Sequence, residues 1–171
     1  MQTIWVLGAT GKGGRAIASE LIDGDADVVL VGRDHDRLAT VAASLGGQNR
    51  TILSPGPAEL VPLIAAEKPT VVVNTIGPFG ETTAPLARAC VAAGSHYVDL
   101  ANELPPVQAL LNMDADARNA GVTLVTGAGF GVLATEALVI ELRNGRPAAA
   151  RATVAAMPRS EERRVGKECR P

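Results

Sequence analysis

Glycines at positions 8, 11 and 14 separate a short apolar run from a helical pattern close to the start of the chain. The run, Ile4 to Leu7, is rich in β-formers and bounded by glycine, as the first strand of a parallel sheet would be. Beyond the turn, Ile17 and Leu21 recur at helical spacing beside the small Ala16 and Ala18. In that setting G-x-x-G-x-x-G is a variant of the dinucleotide fingerprint, and each glycine has its own task. Gly8 makes the tight turn off the strand, Gly11 lets a pyrophosphate approach the backbone, and Gly14 lets the helix pack against the strand. Ala9, Thr10, Lys12 and Gly13 complete the turn. The free N–H groups at the helix start, near Lys12 and Gly13, then meet the phosphate charge. The alternative is a glycine turn that only connects two packed elements.

A second group of candidates follows the next apolar run, Asp27 to Gly32. In a dinucleotide fold the tip of this strand selects the cofactor. An acidic residue there hydrogen-bonds the ribose 2′-OH of NAD, whereas an arginine accommodates the 2′-phosphate of NADP. The tip reads Gly32-Arg33-Asp34. Arg33 is a permanent cation with a planar fork suited to phosphate, so NADP is favoured. Asp34 suits the N-cap of the following helix; turned inward, its carboxylate would permit NAD. Arg37 is a second phosphate candidate, although its helical position also fits a solvated face.

A fourth strand, Thr70 to Thr75, runs into Ile76-Gly77-Pro78-Phe79-Gly80. Its carboxyl end is expected beside that of the first strand, where such sheets open their ligand crevice, so Thr75, Ile76, Gly77 and Pro78 are cofactor candidates. Further on, Tyr97, Asp99 and Glu103 gather polar groups at another strand's end. They could orient a nicotinamide or a substrate, or Asp99 could simply cap the next turn with Tyr97 half buried. His96 stands at the far end of that strand and receives no catalytic role. Glu136, read as opening the last helix, fits dipole complementation. No Ser/His/Asp or Cys/His set and no metal-ligand cluster stands out, so catalytic residues are unassigned and no metal is expected.

The elements that would position these groups alternate regularly. Strands are expected at 4–7, 27–32, 50–53, 70–75, 96–100 and 122–126. Helices are expected from the first turn, to about Leu45, from Pro57 to Lys68, at 82–93, 105–120 and 133–143. This is an α/β chain of βαβ units: a doubly wound, parallel, six-stranded Rossmann sheet in the order 3-2-1-4-5-6. At 171 residues, one domain over 1–147 accounts for most of the chain. A net charge of −2 and only four aromatic residues argue against nucleic acid or a charged membrane surface as partner. There is no apolar run of about 18 residues and no secretory signal pattern, so a cytoplasmic location is expected. Cys90 and Cys169 suggest neither disulfide nor zinc.

The end of the chain breaks the pattern. Residues 148–157 have strand character, as if a second domain began at 148–158. Arg159 to Pro171 is charged and without apolar period. RSEERRVGKEC resembles the in-frame translation of a sequencing-library adapter, so 159–171 is read as a non-native tail and the natural sequence as truncated near Pro158.

GATGKGG, VGRD, NTIGPFG, HYVDLANE and GAGFG occur together and in order. The set resembles the saccharopine dehydrogenase-like NAD(P)-binding family over about residues 3 to 140. The resemblance implies an NADP-type cofactor on Gly8 to Gly14 and Arg33, with Thr75 to Pro78 beside it. It also implies a second α/β domain that closes over the nicotinamide, whose absence would leave this fragment inactive. The expected function is the cofactor-binding part of an NADP-dependent oxidoreductase acting on a small molecule, with a homo-oligomer compatible. The alternatives are an NADP-binding sensor without catalysis and an inactive truncated product.

Overall fold

A computed structural model describes residues 2–146. The expected pieces at 148–158 and 159–171 lie outside the described residues. Two compact units divide the chain between Gly129 and Phe130.

The first unit holds β1 (Thr3–Leu7), α1 (Lys12–Asp23), β2 (Asp27–Gly32), α2 (His35–Ser44), β3 (Thr51–Leu53) and α3 (Pro57–Glu67). It continues with β4 (Val71–Asn74), α4 (Phe79–Ala93), β5 (His96–Asp99), α5 (Leu104–Leu111), α6 (Asp114–Ala120) and β6 (Leu124–Val125). The six strands form one sheet in the order β3-β2-β1-β4-β5-β6. Every pairing is parallel. Side chains alternate across the pleat, so each strand feeds two cores. Trp5, Leu7, Val29, Val31, Val72 and Tyr97 face α3, α4 and α5 through Leu60, Ile64, Leu86 and Leu110. Val6, Val28, Leu30 and Val73 face α1 and α2 through Ala18, Leu38 and Val41. Both faces of the sheet are therefore covered, which is why its strands read as continuous apolar runs. The second unit begins with α7 (Phe130–Arg143).

Several boundaries differ from expectation: α4 starts at Phe79 rather than 82 and α7 at Phe130 rather than 133, and two further differences have a local reason. The helix expected over 105–120 is two helices, although its apolar spacing runs on across the break. Met113 N–H bonds Leu110 O, a tightened turn, and the chain restarts with Asp114 and Asp116 in the first turn of α6. Asn and Asp favour helix starts over interiors, and acidic groups suit the positive end of the dipole. β6 is shorter than expected because Val122 N–H is spent on Ala117 O and Thr123 N–H on His96 Nδ1. Because α7 starts at Phe130, Glu136 lies in its second turn, away from the positive helix end.

Candidate functional site

The carboxyl ends of β1 and β4 sit side by side, in register from Ile4 opposite Val71 to Leu7 opposite Asn74. Gly8 leaves β1 at φ +80, the left-handed region, and Gly8 and Ala9 N–H both bond Val31 O of β2. Gly11 then caps α1 with extended backbone and no side-chain hydrogen bond. With no side chain capping them, the first-turn N–H groups form an electropositive end suited to an anion.

The three glycines turn out to be glycine for different reasons. A Cβ on Gly14 would stand 2.3 Å from Gly8 O and 2.8 Å from Thr75 Oγ1, so α1 packs directly on the turn. A Cβ on Gly8 would meet Thr75 Oγ1 at 2.7 Å. Thr75 fills this space as a lock, its hydroxyl donating to Leu7 O at 2.7 Å. Gly11 is less confined: its Cβ would meet only Gly8 O, at 3.2 Å, and its φ of −81 suits any residue. Glycine at 11 thus leaves room above the turn for something other than protein.

That room is part of a cavity of about 400 Å³. Gly8, Thr10, Gly11, Arg33, Thr75, Ile76, Gly77 and Pro78 line it. The volume falls within the range of small-molecule sites, roughly 300–1,000 Å³. Other expected residues stand behind the lining or beside it. Ala9 and Gly14 are buried, while Lys12 and Gly13 are exposed at the start of α1. Asp34 is engaged elsewhere: its Oδ1 accepts from Arg37 N–H at 3.0 Å, capping α2. The acidic group at the β2 tip therefore serves the helix, and Arg33 is the group that faces the cavity.

The lining extends beyond the residues expected from the strand ends, to the second phosphate candidate Arg37 and to several residues that escape a reading of the sequence. Arg37 folds back over the turn, its Nη2 donating to Thr10 O at 3.1 Å, and joins Arg33 in the lining. Ser54, Pro55, Gly56 and Pro57, between β3 and α3, form another wall with Leu60. Ser54 N–H bonds Gly32 O, which ties this loop to the β2 tip. The signal for them was the strand order itself, since the expected order already places the end of β3 beside β2. Glu81 and Thr82 of α4 close the remaining side.

Farther along the same rim, Tyr97 and Asp99 come together but Glu103 does not. Tyr97 is fully buried rather than half buried, because Val72 and Leu124 flank it in the sheet. Its phenol is pushed up from the ordinary value by burial and by the Asp99 carboxylate, so it stays a hydrogen-bond donor at neutral pH. Glu103 is exposed, meeting only Asn102 N–H. Cys90 is buried in α4, and desolvation pushes its thiol up to about 12. It is therefore neutral and inert near pH 7, the opposite of a reactive thiolate. Among the described residues, no group of His, Cys, Asp and Glu is placed to hold a metal ion, and no helix is long and apolar enough to cross a membrane.

The family model of the saccharopine dehydrogenase NADP-binding domain matches residues 4–125, which takes in β1 through β6. The chain belongs to this family. It is an NADP-binding domain of an oxidoreductase family with a Rossmann-type fold. It is 35% identical over 133 residues to a Mycobacterium tuberculosis protein provisionally named a trans-acting enoyl reductase, covering 74% of this chain and 32% of that protein. The trans-acting enoyl reductase of Mycobacterium bovis is 30% identical over 145 residues, 81% of this chain and 35% of its own. The chain thus spans about a third of the length of the curated relatives it matches. The solved saccharopine dehydrogenase (L-Glu forming) of Saccharomyces cerevisiae superposes with a TM-score of 0.61 over 85% of this chain and 32% of that one. At 18% identity that likeness is one of fold.

Proposed function

We propose that this chain holds NADP(H) for an oxidoreductase that transfers hydride to or from a small unsaturated substrate. The observation that carries the reading is the convergence, in one cavity, of the glycine turn, Arg33 from the β2 tip, Arg37 from the first turn of α2 and the Thr75–Pro78 loop. The donor set fits the cofactor. Gly11 leaves space for a pyrophosphate, and the uncapped start of α1 offers it N–H groups. Arg33 and Arg37 offer the 2′-phosphate two permanent cations, with Arg37 held in place by Thr10 O. The Ser54–Pro57 wall lies beside the β2 tip, where the adenosine end would rest. When bound, the cofactor supplies the hydride; the chain binds it, orients it and excludes water from one side of it. The mycobacterial relatives are named as enoyl reductases, which supports an enoyl group as the acceptor.

Titration by nicotinamide fluorescence tests the assignment. The chain is expected to prefer NADPH to NADH, and Arg33→Ala to lower NADPH affinity about ten- to a hundredfold, the weight of one charge-assisted hydrogen-bond set. NADH affinity is expected to stay nearly unchanged. Equal affinities for the two cofactors in the unmutated chain would remove Arg33 from the assignment.

A further inference from the structure

Beside the cavity lies a buried polar cluster that none of this binding uses. Asp99, at the end of β5, is fully buried, and its carboxylate accepts five hydrogen bonds from the described residues. Thr83 Oγ1 (2.8 Å) and the Tyr97 hydroxyl (3.1 Å) donate to Oδ2. Thr126 Oγ1 (2.7 Å), Ala101 N–H (3.2 Å) and Gly127 N–H (3.3 Å) donate to Oδ1. Among the described residues, no cation shares the cluster. A buried carboxylate is costly unless fully hydrogen-bonded, and an apolar side chain would serve packing alone at less cost. The donors are informative because of where they come from: α4, β5, the loop after β5 and the loop after β6.

The cluster also reaches the cavity. The Tyr97 hydroxyl accepts from Asn74 Nδ2 at 3.0 Å, and Asn74 Oδ1 accepts from Ile76 N–H at 3.0 Å. Thr82 Oγ1 accepts from the same Asn74 amide and donates to Ile76 O at 2.7 Å. Both backbone polar groups of Ile76, a lining residue, are thus held by side chains of the cluster. On the other side Leu100, between Asp99 and Ala101, comes within 3.7 Å of where a Cβ on Gly13 would stand, at the start of α1.

We propose that Asp99 and Tyr97 are positioning residues for the cofactor: they set the loops after β4, β5 and β6 as one unit against the glycine turn. The inference rests on the cavity being the cofactor site. It assigns to HYVD a task that neither residue performs by touching the ligand. In a sheet of this order the loops after β4 and β5 border the nicotinamide half of a dinucleotide, so the placement of that half depends on the cluster.

The test uses the 171-residue chain, with NADPH as probe, and compares Tyr97→Phe and Thr126→Val with Val41→Ala, a trimming of the core on the opposite face of the sheet, and with Ile64→Val, a core trimming that removes none of these hydrogen bonds. Tyr97→Phe keeps the ring and removes the link between Asn74 and Asp99. Thr126→Val detaches the loop after β6. Both are expected to weaken NADPH binding about three- to tenfold, the range that one net hydrogen bond corresponds to. Both are also expected to speed amide exchange in the 74–78 segment of the free protein, with β2 and β3 unaffected. Val41→Ala and Ile64→Val should lower the melting temperature and move neither readout. If the cluster variants behave like these two, with lower melting but unchanged affinity and unchanged 74–78 exchange, the positioning role is overturned. If the unmutated chain fails to bind NADPH, the cofactor reading falls instead, and exchange in the free protein still decides whether the cluster holds the Ile76 loop.

Discussion

The glycine turn after β1 and the tip of β5 stand on the same rim of one sheet, yet they are built from different materials. The turn is nearly all backbone: Gly8 at positive φ, Gly14 pressed on Gly8 O, with the Thr75 and Arg37 side chains bonding its carbonyls from either side. The β5 tip is nearly all side chain, with Asn74, Thr82, Thr83, Tyr97, Asp99 and Thr126 satisfying one another in the dry interior. A backbone site tolerates no added atoms but survives the loss of distant groups. A side-chain site tolerates changes of volume but not the loss of a hydrogen-bond partner. The comparison also separates binding from placement, since the proposal has the first region contact a phosphate directly and the second act through loops.

Each half of that contrast can be broken separately, and the largest effect is expected at the turn. Gly14→Val would drive carbon into Gly8 O, which is backbone and cannot rotate away. A loss of about 4 kcal/mol or more is expected, enough to abolish a cooperative melt. A melt near the parent's would show that the turn yields more than its contacts allow. At the β5 tip, Asp99→Leu leaves the Ala101 and Gly127 N–H groups without their acceptor, while the three hydroxyls can turn elsewhere. At roughly 1–3 kcal/mol for each of the two stranded buried donors, urea unfolding should show a loss of about 2–6 kcal/mol. A neutral result would mean that the carboxylate is not what holds these loops.

The two regions also differ in pH response. Tyr97 and Cys90, both on the β4–β5 side, have folded values raised above the ordinary 10.0 and 9.0. A raised value stabilises the fold below the unfolded pKa and loses that contribution as pH climbs towards the folded one. Stability should therefore be flat up to about pH 9 and fall above it, by about 1.4 kcal/mol per pH unit for each group titrating in the unfolded chain. Denaturant melts at pH 8, 9.5 and 11 measure the slope, and Cys90→Ala should flatten its first part. The smallest stability effect is expected at Gly11→Ala, about 1 kcal/mol or less, because the backbone there is extended and the nearest contact of the added methyl is Gly8 O at 3.2 Å. NADPH affinity should nonetheless drop about tenfold, as the methyl occupies the place of a phosphate oxygen. Unchanged affinity would place the pyrophosphate away from Gly11.

How much of this could be read without coordinates follows from how far apart in the chain the cooperating residues lie. Strand order, the two-faced burial of the sheet and the glycine turn rest on periodicities and turn chemistry within about ten residues, so they were legible from the start. Asp34 as the cap of α2 is equally local, and Arg33 rather than Asp34 lines the cavity. Arg37 was weighed as a second candidate, but only the fold brings its guanidinium to Thr10 O, 27 residues away.

Tertiary structure alone decided the rest, because the partners are distant and individually bland. Ser54 to Pro57 read as a turn until β3 docks beside β2. Asn74, Thr83 and Thr126 are ordinary residues of a strand end, a helix and a loop until parallel packing brings them to Tyr97 and Asp99. Tyr97 read as half buried because a tyrosine at a strand end usually keeps its hydroxyl in water; here Asn74 and Asp99 replace that water. The sequence by itself determined where backbone must turn and which runs must be buried, since those follow from local sterics and hydrophobic period. Which polar groups meet inside was settled only by the sheet that gathers them, because a hydrogen bond depends on positions in space and carries no signature along the chain.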